Sequence, residues 1–201
     1  GEYGGGVFSG SGNVTVTAST FSGNGDWYVT NGGAISAGGT LTLVDSTISG
    51  NNGKRGAGIR SSGTLTLTRS VVAGNSSYYG GGGIHVYAGT ATVTDSTISN
   101  NSVRYSGAGV YSQGTLTIAN STIASNSSGR DGAGIALLGS ATLHLDHATV
   151  AANNSVVGMS GGIGFLTWPS GIPAWTGNAT IDHSIVSGNT QGAGNEIHLG
   201  S

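Results

Sequence analysis

Apolar and polar residues alternate along the chain with a period of two, and the alternating segments recur about every 25 residues. In each segment the aliphatic residues share one face of an extended strand, with Thr between them in every copy except the last, where His144 stands. The aliphatic pairs are Leu41 and Leu43, Leu65 and Leu67, Ala91 and Val93, Leu116 and Ile118, and Leu143 and Leu145. No segment shows the apolar period of a helix, so the pattern predicts short β-strands throughout.

Two further motifs mark each repeat. A Gly-rich motif that ends in an aliphatic residue recurs from Gly32–Ile35 to Gly161–Ile163, and an apolar residue three positions before an Asn recurs from Phe21 to Val186. A unit with one short apolar face cannot bury that face alone, whereas stacked copies form a continuous core. We therefore predict an all-β fold, a right-handed parallel β-helix (solenoid) of about eight coils with two to three strands in each.

Small polar residues form columns that suit the corners of such a solenoid. The Ser column, from Ser46 to Ser184, can hydrogen-bond its own backbone, and the Asn column, from Asn24 to Asn189, tolerates left-handed backbone and can pass amide hydrogen bonds between coils. The Gly motifs supply bends with positive φ. Most Gly and Asn are therefore architectural, and functional residues should be those that break the repeat.

Composition narrows the classes of function. The 201 residues include 40 Gly and no Cys, which excludes disulfides and Cys-ligated metals. The net charge of -2, with few charged residues, gives no electrostatic footprint for nucleic acid or anionic membrane, and no apolar run could span a bilayer. We expect no cofactor, no nucleic-acid partner and no membrane insertion.

The repeat pattern extends over nearly the whole chain, which predicts a single domain over 1–201 with one long insertion at 165–177. The insertion contains both prolines, with Trp168 and Trp175, and we expect it to leave the coil as a loop or cap. The chain opens in mid-repeat, so we expect a piece excised from a larger exported protein. Its flanking segments would then be partners, and solenoid ends could also stack end to end.

The segment between each Asn and the next Gly motif concentrates aromatic and basic residues. On a solenoid these segments should form loops along one edge, a strip suited to stacking on sugar rings. The strip contains Trp27, Tyr28, Lys54, Arg55, Tyr78, Tyr79, Arg104, Tyr105 and Arg130. Arg60, His85 and Tyr111, each just after a Gly motif, should extend the same side. The alternative is that these side chains shield the core and keep the edge soluble.

A second group of titratable residues lies near the C-terminal end. It consists of His144, Asp146, His147, Asp182 and His183. Repeat alignment places Asp146-His147 beside Asp182-His183 on neighbouring coils, so these groups could converge to bind a divalent metal or act as an acid/base pair. Asp45, Arg69, Asp95 and Asn120 share this column, which favours a solvated corner, and we assign neither a metal nor a catalytic site here.

Outward-facing Thr residues form a third feature. Thr40, Thr64, Thr90 and Thr115 form one file, and the Thr two positions later in each strand form a second. Ice-binding solenoids resemble this arrangement of Thr-x-Thr rungs. Thr is also simply favoured on exposed strands.

Two phrases carry a family resemblance. The Gly32–Ile35 motif alternating with Phe21–Asn24 resembles the repeats of polymorphic outer-membrane proteins, and the phrase from Gly39 to Asn51 resembles repeat arrays of large bacterial cell-surface and secreted β-helix proteins. The resemblance implies a right-handed β-helix, export to the cell surface, and a role in adhesion or as a scaffold. Polysaccharide lyases and hydrolases are also found among proteins with related coils.

We therefore expect a non-enzymatic, extracellular structural or adhesive β-helix segment of a bacterial surface protein. Its partner would be a glycan, or the surface of a host or neighbouring cell, bound through the strip. A polysaccharide lyase or hydrolase using a groove beside the insertion is the alternative. Ice binding through the Thr files is the third possibility.

Overall fold

A computed structural model of the protein describes residues 4–28, 30–158, 160–166, 175–191 and 195–198. Within these residues the chain forms 28 strands and no helix, and thus contains no helix that could cross a membrane. Each strand pairs in parallel with the equivalent strand of the next repeat, as a solenoid requires.

The chain visits four parallel sheets in turn on every complete coil. The first sheet contains β1 (Val7–Ser9), β4 (Ile35–Ala37), β8 (Ile59–Ser61), β12 (Ile84–Val86), β16 (Val110–Ser112), β20 (Ile135–Leu138), β24 (Ser160–Leu166) and β28 (Asn195–His198). The second sheet contains β2 (Val14–Thr17), β5 (Thr40–Val44), β9 (Thr64–Thr68), β13 (Thr90–Thr94), β17 (Thr115–Ala119), β21 (Thr142–Asp146) and β25 (Ala179–Asp182).

The other two sheets complete the coil. The third sheet contains β3 (Thr20–Ser22), β6 (Thr47–Ser49), β10 (Val71–Ala73), β14 (Thr97–Ser99), β18 (Thr122–Ala124), β22 (Thr149–Ala151) and β26 (Ile185–Ser187). The fourth sheet contains β7 (Asn52–Arg55), β11 (Ser76–Gly80), β15 (Ser102–Val103), β19 (Ser127–Ser128), β23 (Asn154–Ser155) and β27 (Thr190–Gln191).

The predicted fold class, an all-β parallel β-helix, is confirmed, with two corrections. The described part of the chain has six complete coils, the number of strands in the fourth sheet, and a partial coil at each end, rather than about eight full ones. Each complete coil has four strands rather than two or three. The fourth strand escaped the sequence pattern because it is short and polar, as in Ser127–Ser128, and offers no apolar alternation to detect.

The core consists of aliphatic columns in register. Ile48, Val72, Ile98 and Ile123 align across the third sheet and are fully buried, and the predicted pairs of the second sheet align and are buried in the same way. Burial of one such side chain stabilises the fold by about 1.5–3 kcal/mol. The stack therefore holds neighbouring coils at a fixed register.

An amide ladder runs beside this core, as predicted. Asn101 Nδ2 donates to Asn126 Oδ1 and to the Val72 carbonyl, both at 3.0 Å, while Asn101 Oδ1 accepts from the backbone N–H and from Nδ2 of Asn75, also at 3.0 Å. The side-chain contacts continue without a break from Asn24 to Asn189.

The Asn residues of the column do not themselves adopt the left-handed backbone that Asn tolerates. The residue just before each Asn does so instead, from Gly23 to Gly188. The turn is made one residue earlier because the Asn itself must direct its amide along the ladder.

The Ser column forms a second corner. Ser46 Oγ donates to the Val44 carbonyl at 2.8 Å and accepts from the Ser19 N–H at 3.2 Å, as predicted for a hydroxyl that bonds its own backbone. The residue before each Ser is left-handed, from Ala18 through Asp45 and Arg69 to His183. His147 adopts the same conformation before Ala148, which takes the place of Ser on its coil. This second corner therefore carries the second titratable group.

The insertion begins later than predicted. Phe165 and Leu166 remain in β24, and Phe165 is a buried core residue. Trp168, with Pro169, Ile172 and Pro173, lies outside the described residues. Trp175 packs on the flank of the coil: its ring lies 4.2 Å from Phe165, and its Nε1 donates to the Ala141 carbonyl at 2.9 Å.

Candidate ligand-binding surface

The predicted strip comes together on one side of the rod, partly on loops, as predicted, and partly on strands. Lys54 and Arg55 lie in β7, and Tyr78 and Tyr79 lie in β11. These two strands pair in parallel in the fourth sheet. Adjacent strands lie about 4.8 Å apart, a spacing at which aromatic rings on successive coils can touch.

The tyrosines of the strip form one cluster across three coils. The ring of Tyr78 lies 5.6 Å from Tyr28, 4.8 Å from Tyr79 and 5.9 Å from Tyr105. Tyr79 and Tyr105 stack at 5.6 Å with an interplanar angle of 20°. Such contacts contribute about 0.5–1.5 kcal/mol each beyond the area buried, so the rings hold one another in place.

Three arginines lie over rings of neighbouring coils. The guanidinium carbon of Arg55 lies 4.8 Å from the ring centre of Tyr79; the corresponding distances are 5.0 Å for Arg104 over Tyr78 and 4.9 Å for Arg130 over Tyr105. Arg104 Nη1 also donates to Tyr78 Oη at 2.9 Å. A guanidinium on a ring face still presents its in-plane N–H groups, so these arginines are positioned to donate to an incoming acceptor.

Some aromatic faces stay open to solvent. Tyr28 is 68% exposed and Tyr79 is 41% exposed. Trp27 is held at the edge of the strip by a 2.8 Å hydrogen bond from its Nε1 to Asn52 Oδ1. The exposed ring surfaces and the fixed guanidiniums make a surface with both apolar and cationic character.

The surface continues onto the first sheet, where parallel pairing aligns Arg60, His85 and Tyr111 as predicted. His85 is almost fully buried, and its ring lies 5.1 Å from that of Tyr111. Burial lowers the pKa of His85 to about 3, and the nearby charges of Arg60 and Arg55 act in the same direction. Among the described residues neither ring nitrogen of His85 has a hydrogen-bond partner, and burial raises the pKa of Tyr111 to about 12.

The strip gathers most of the chain's positive charge. The chain has six Lys and Arg residues: Lys54, Arg55, Arg104 and Arg130 lie in the strip, and Arg60 lies on its continuation in the first sheet. The sixth, Arg69, forms a two-pronged ion pair with Asp45 at another corner, at 2.8 and 2.9 Å. A net charge of -2 therefore conceals a basic face, which the charge total alone could not reveal.

A shallow groove of about 350 Å³ adjoins the strip, and sequence reasoning missed it. Its floor is the outer file of the fourth sheet, where Ser76, Ser102 and Ser127 align and Ser102 Oγ donates to Ser76 Oγ at 2.7 Å. Trp27 and Arg104 also line it. In the sequence, only these Ser residues at equivalent repeat positions indicated the groove. They were not recognised as an aligned file because the fourth strand was not predicted.

The second titratable group also converges, at the corner between the second and third sheets. His147 Nδ1 lies 2.7 Å and His183 Nδ1 lies 3.5 Å from Asp146 Oδ1, and His144 Nδ1 lies 3.8 Å from Asp182 Oδ2. Partial desolvation acts to raise the pKa of Asp146, but hydrogen bonds from His147 and His183 outweigh it and hold that pKa below its usual range. Because the strip belongs to the fourth and first sheets, the two groups are on different sides of the coil.

The Thr files are in register, as predicted. Thr40, Thr64, Thr90 and Thr115 align across the second sheet, and so do Thr42, Thr66, Thr92 and Thr117. His144 takes the place of Thr in the second file on the next coil. The files therefore form a regular polar array on four successive coils.

Residues 2–123 match the family model described as the right-handed β-helix region, which is more than half of the chain. No curated protein and no solved structure shows significant similarity to it. The matched residues cover the Gly, Thr and Asn columns of the first coils, which form the parallel sheets described above. The chain therefore belongs to the right-handed β-helix family.

Proposed function

We propose that this chain is an extracellular structural or adhesive segment of a bacterial surface protein, and that its strip binds acidic glycans. The observation that supports the ligand class is the placement of three of the six basic residues, Arg55, Arg104 and Arg130, over rings of the tyrosine cluster. Tyrosine faces stack on the apolar faces of sugar rings, and guanidiniums donate charge-assisted hydrogen bonds to carboxylates or sulfates.

The repeat spacing favours an extended ligand. Arg104 and Arg130 come from adjacent coils, about 4.8 Å apart, and Arg55 lies two coils before Arg104, with the coil of Tyr78 and Tyr79 between them. Acidic groups repeated along a polymer can therefore be met by several cations at once. Binding by such an array weakens as salt rises, because the contacts are exposed.

A glycan array and a titration with an acidic polysaccharide test this proposal. Arg104→Gln should weaken binding by about tenfold or more, since it removes one charge-assisted contact. Arg69→Gln is the matched control, because Arg69 is paired with Asp45 at another corner and should leave affinity unchanged. Tyr78→Ala with Tyr79→Ala should also weaken binding. Equal affinities for the Arg104 and Arg69 variants would contradict the proposal.

The alternative of a polysaccharide lyase or hydrolase draws support from the convergence of Asp146 with His147 and His183. A scaffold should show no turnover of uronic-acid or neutral polysaccharides. Release of unsaturated sugar products that stops on replacing His147 would favour the enzyme instead. Ice binding draws support from the registered Thr files, and thermal hysteresis in the parent protein is its test.

A further inference from the structure

Two consecutive coils bring two imidazoles and one carboxylate to a single point on the corner between the second and third sheets. Asp146 is the last residue of β21, His147 lies in the turn between β21 and β22, and His183 lies in the equivalent turn between β25 and β26. One ligand atom from each residue can be chosen so that all three lie within 4.8 Å of one another. The two imidazole rings stack at 4.8 Å with an interplanar angle of only 14°.

The backbone explains how the two histidines become neighbours. His147 and His183 occupy the same left-handed corner position, with φ of 49° and 45°, on coils joined by the pairing of Asp146 with Asp182. Earlier coils place Asp45, Arg69, Asp95 and Asn120 there. A solvated corner accepts any of these polar residues. It gives no reason for both Nδ1 atoms to lie near the same carboxylate oxygen, within 2.7 and 3.5 Å.

We propose that Asp146, His147 and His183 bind a divalent transition-metal ion, with Zn²⁺ the best match. Two imidazole nitrogens and one carboxylate oxygen are a donor set used for zinc, and nitrogen donors disfavour Ca²⁺ and Mg²⁺. Zinc bound about 2.0–2.1 Å from each donor separates its ligand atoms by about 3.0–3.5 Å. The separations of 2.7 and 3.5 Å from Asp146 Oδ1 bracket this range, and all three ligand atoms lie within 4.8 Å of one another. Rotation of the exposed side chains would bring the two imidazole nitrogens to the spacing that the ion requires.

A metal held here would clip one coil to the next. It would join the turn after β21 to the turn after β25, two equivalent turns that are 36 residues apart in the sequence. This is where the repeat spacing is least regular, so a bound ion would stabilise the attachment of the last complete coil. Its effect is independent of whether the strip binds glycan.

Calorimetric titration of tag-free protein with Zn²⁺ alone tests the proposal, together with thermal melts with and without the ion. We expect one Zn²⁺ per chain and a melting temperature that rises by several degrees at saturation. His147→Gln and His183→Gln should each weaken binding by about tenfold or more. Their metal-free melts should match the parent, because both side chains are exposed.

Asp95→Asn is the matched control, since Asp95 occupies the same column as His147 and His183 on an earlier coil. It should bind Zn²⁺ as the parent does. Absence of saturable binding would overturn the proposal. Equal affinity in the parent and in the His147 and His183 variants would also overturn it, because binding that survives those substitutions must use other residues, such as His85 or His198. Glycan binding should be unchanged in all these variants, which separates this site from the strip.

Discussion

Replacement of Asn101 by Ala should be among the most damaging single changes in the rod. Asn101 is 1% exposed and takes part in four side-chain hydrogen bonds. Its Oδ1 is the acceptor for the backbone N–H of Asn75, which the substitution leaves buried beside a methyl group. The loss is therefore larger than that of an ordinary exposed amide.

The magnitude follows from those four contacts. An unpaired buried N–H costs about 1–3 kcal/mol, and each ordinary hydrogen bond contributes about 0.5–1.5 kcal/mol. Part of the loss is offset, because Asn75 Nδ2 keeps the Ile48 carbonyl and Asn126 Oδ1 keeps the Asn101 N–H. We expect the free energy of unfolding to fall by about 3–5 kcal/mol.

Urea titrations followed by far-UV circular dichroism measure this change, and Asn24→Ala is the control. Asn24 heads the same ladder but is only half-buried, and its side chain donates to Asn51 Oδ1 and the Ser22 carbonyl. Its replacement should cost about 1 kcal/mol. If the two variants lost the same stability, the ladder would not derive its strength from buried, reciprocally satisfied amides, and the reasoning would fail.

Three further outcomes are expected. Gly109→Ala should lower stability by about 2–4 kcal/mol in a thermal melt, because the new Cβ would lie 2.5 Å from the Gly134 carbonyl oxygen. Gly139→Ala is the control: its Cβ would meet no atom within 4 Å, and it should cost about 1 kcal/mol because the φ of Gly139 is positive. Because His85 has a folded-state pKa of about 3 against 6.5 unfolded, the unfolded chain alone gains this proton as pH falls below 6.5. Stability should then decline towards pH 3 by about 1.4 kcal/mol per pH unit, a slope that His85→Phe removes in pH-dependent melts. If the Thr files order ice, thermal hysteresis should be measurable in the parent and absent in Thr66→Tyr, whose bulk would interrupt the flat array.

The fold was predictable because each coil repeats the same constraints. Period-two alternation identified the strands of the second sheet, and the registered positions of Ile48, Val72 and Ile98 identified a buried stack. The fourth strand was not predictable by this route. Ser127–Ser128 is short and polar, and it is a strand only because backbone groups of the adjacent coils pair with it.

The candidate sites were predictable as groups of residues but not as geometry. Repeat alignment correctly placed His147 beside His183 and the tyrosines of the strip on one side. It could not show that Arg104 lies over Tyr78, because that contact depends on side-chain conformation rather than on register. Nor could it distinguish the buried ring of His85, which follows a Gly motif, from the exposed ring of Tyr28, which precedes one. Position relative to the motif does not reveal how deeply a side chain is buried.

The unbroken register of the sheets makes the length of the rod adjustable in whole coils. Excision of 84–109 would join Gly83 to Val110 and so restore a Gly motif ending in an aliphatic residue. Leu65 would then face Leu116, Val72 would face Ile123, and the amide of Asn75 would meet that of Asn126, each pair matching columns that already align. Duplication or deletion of a whole repeat in the gene would thus leave the core columns aligned. Each such event would lengthen or shorten the outer surface by one coil. A shortened chain that kept the circular dichroism spectrum of the parent would confirm that selection can tune the reach of this protein without redesigning it.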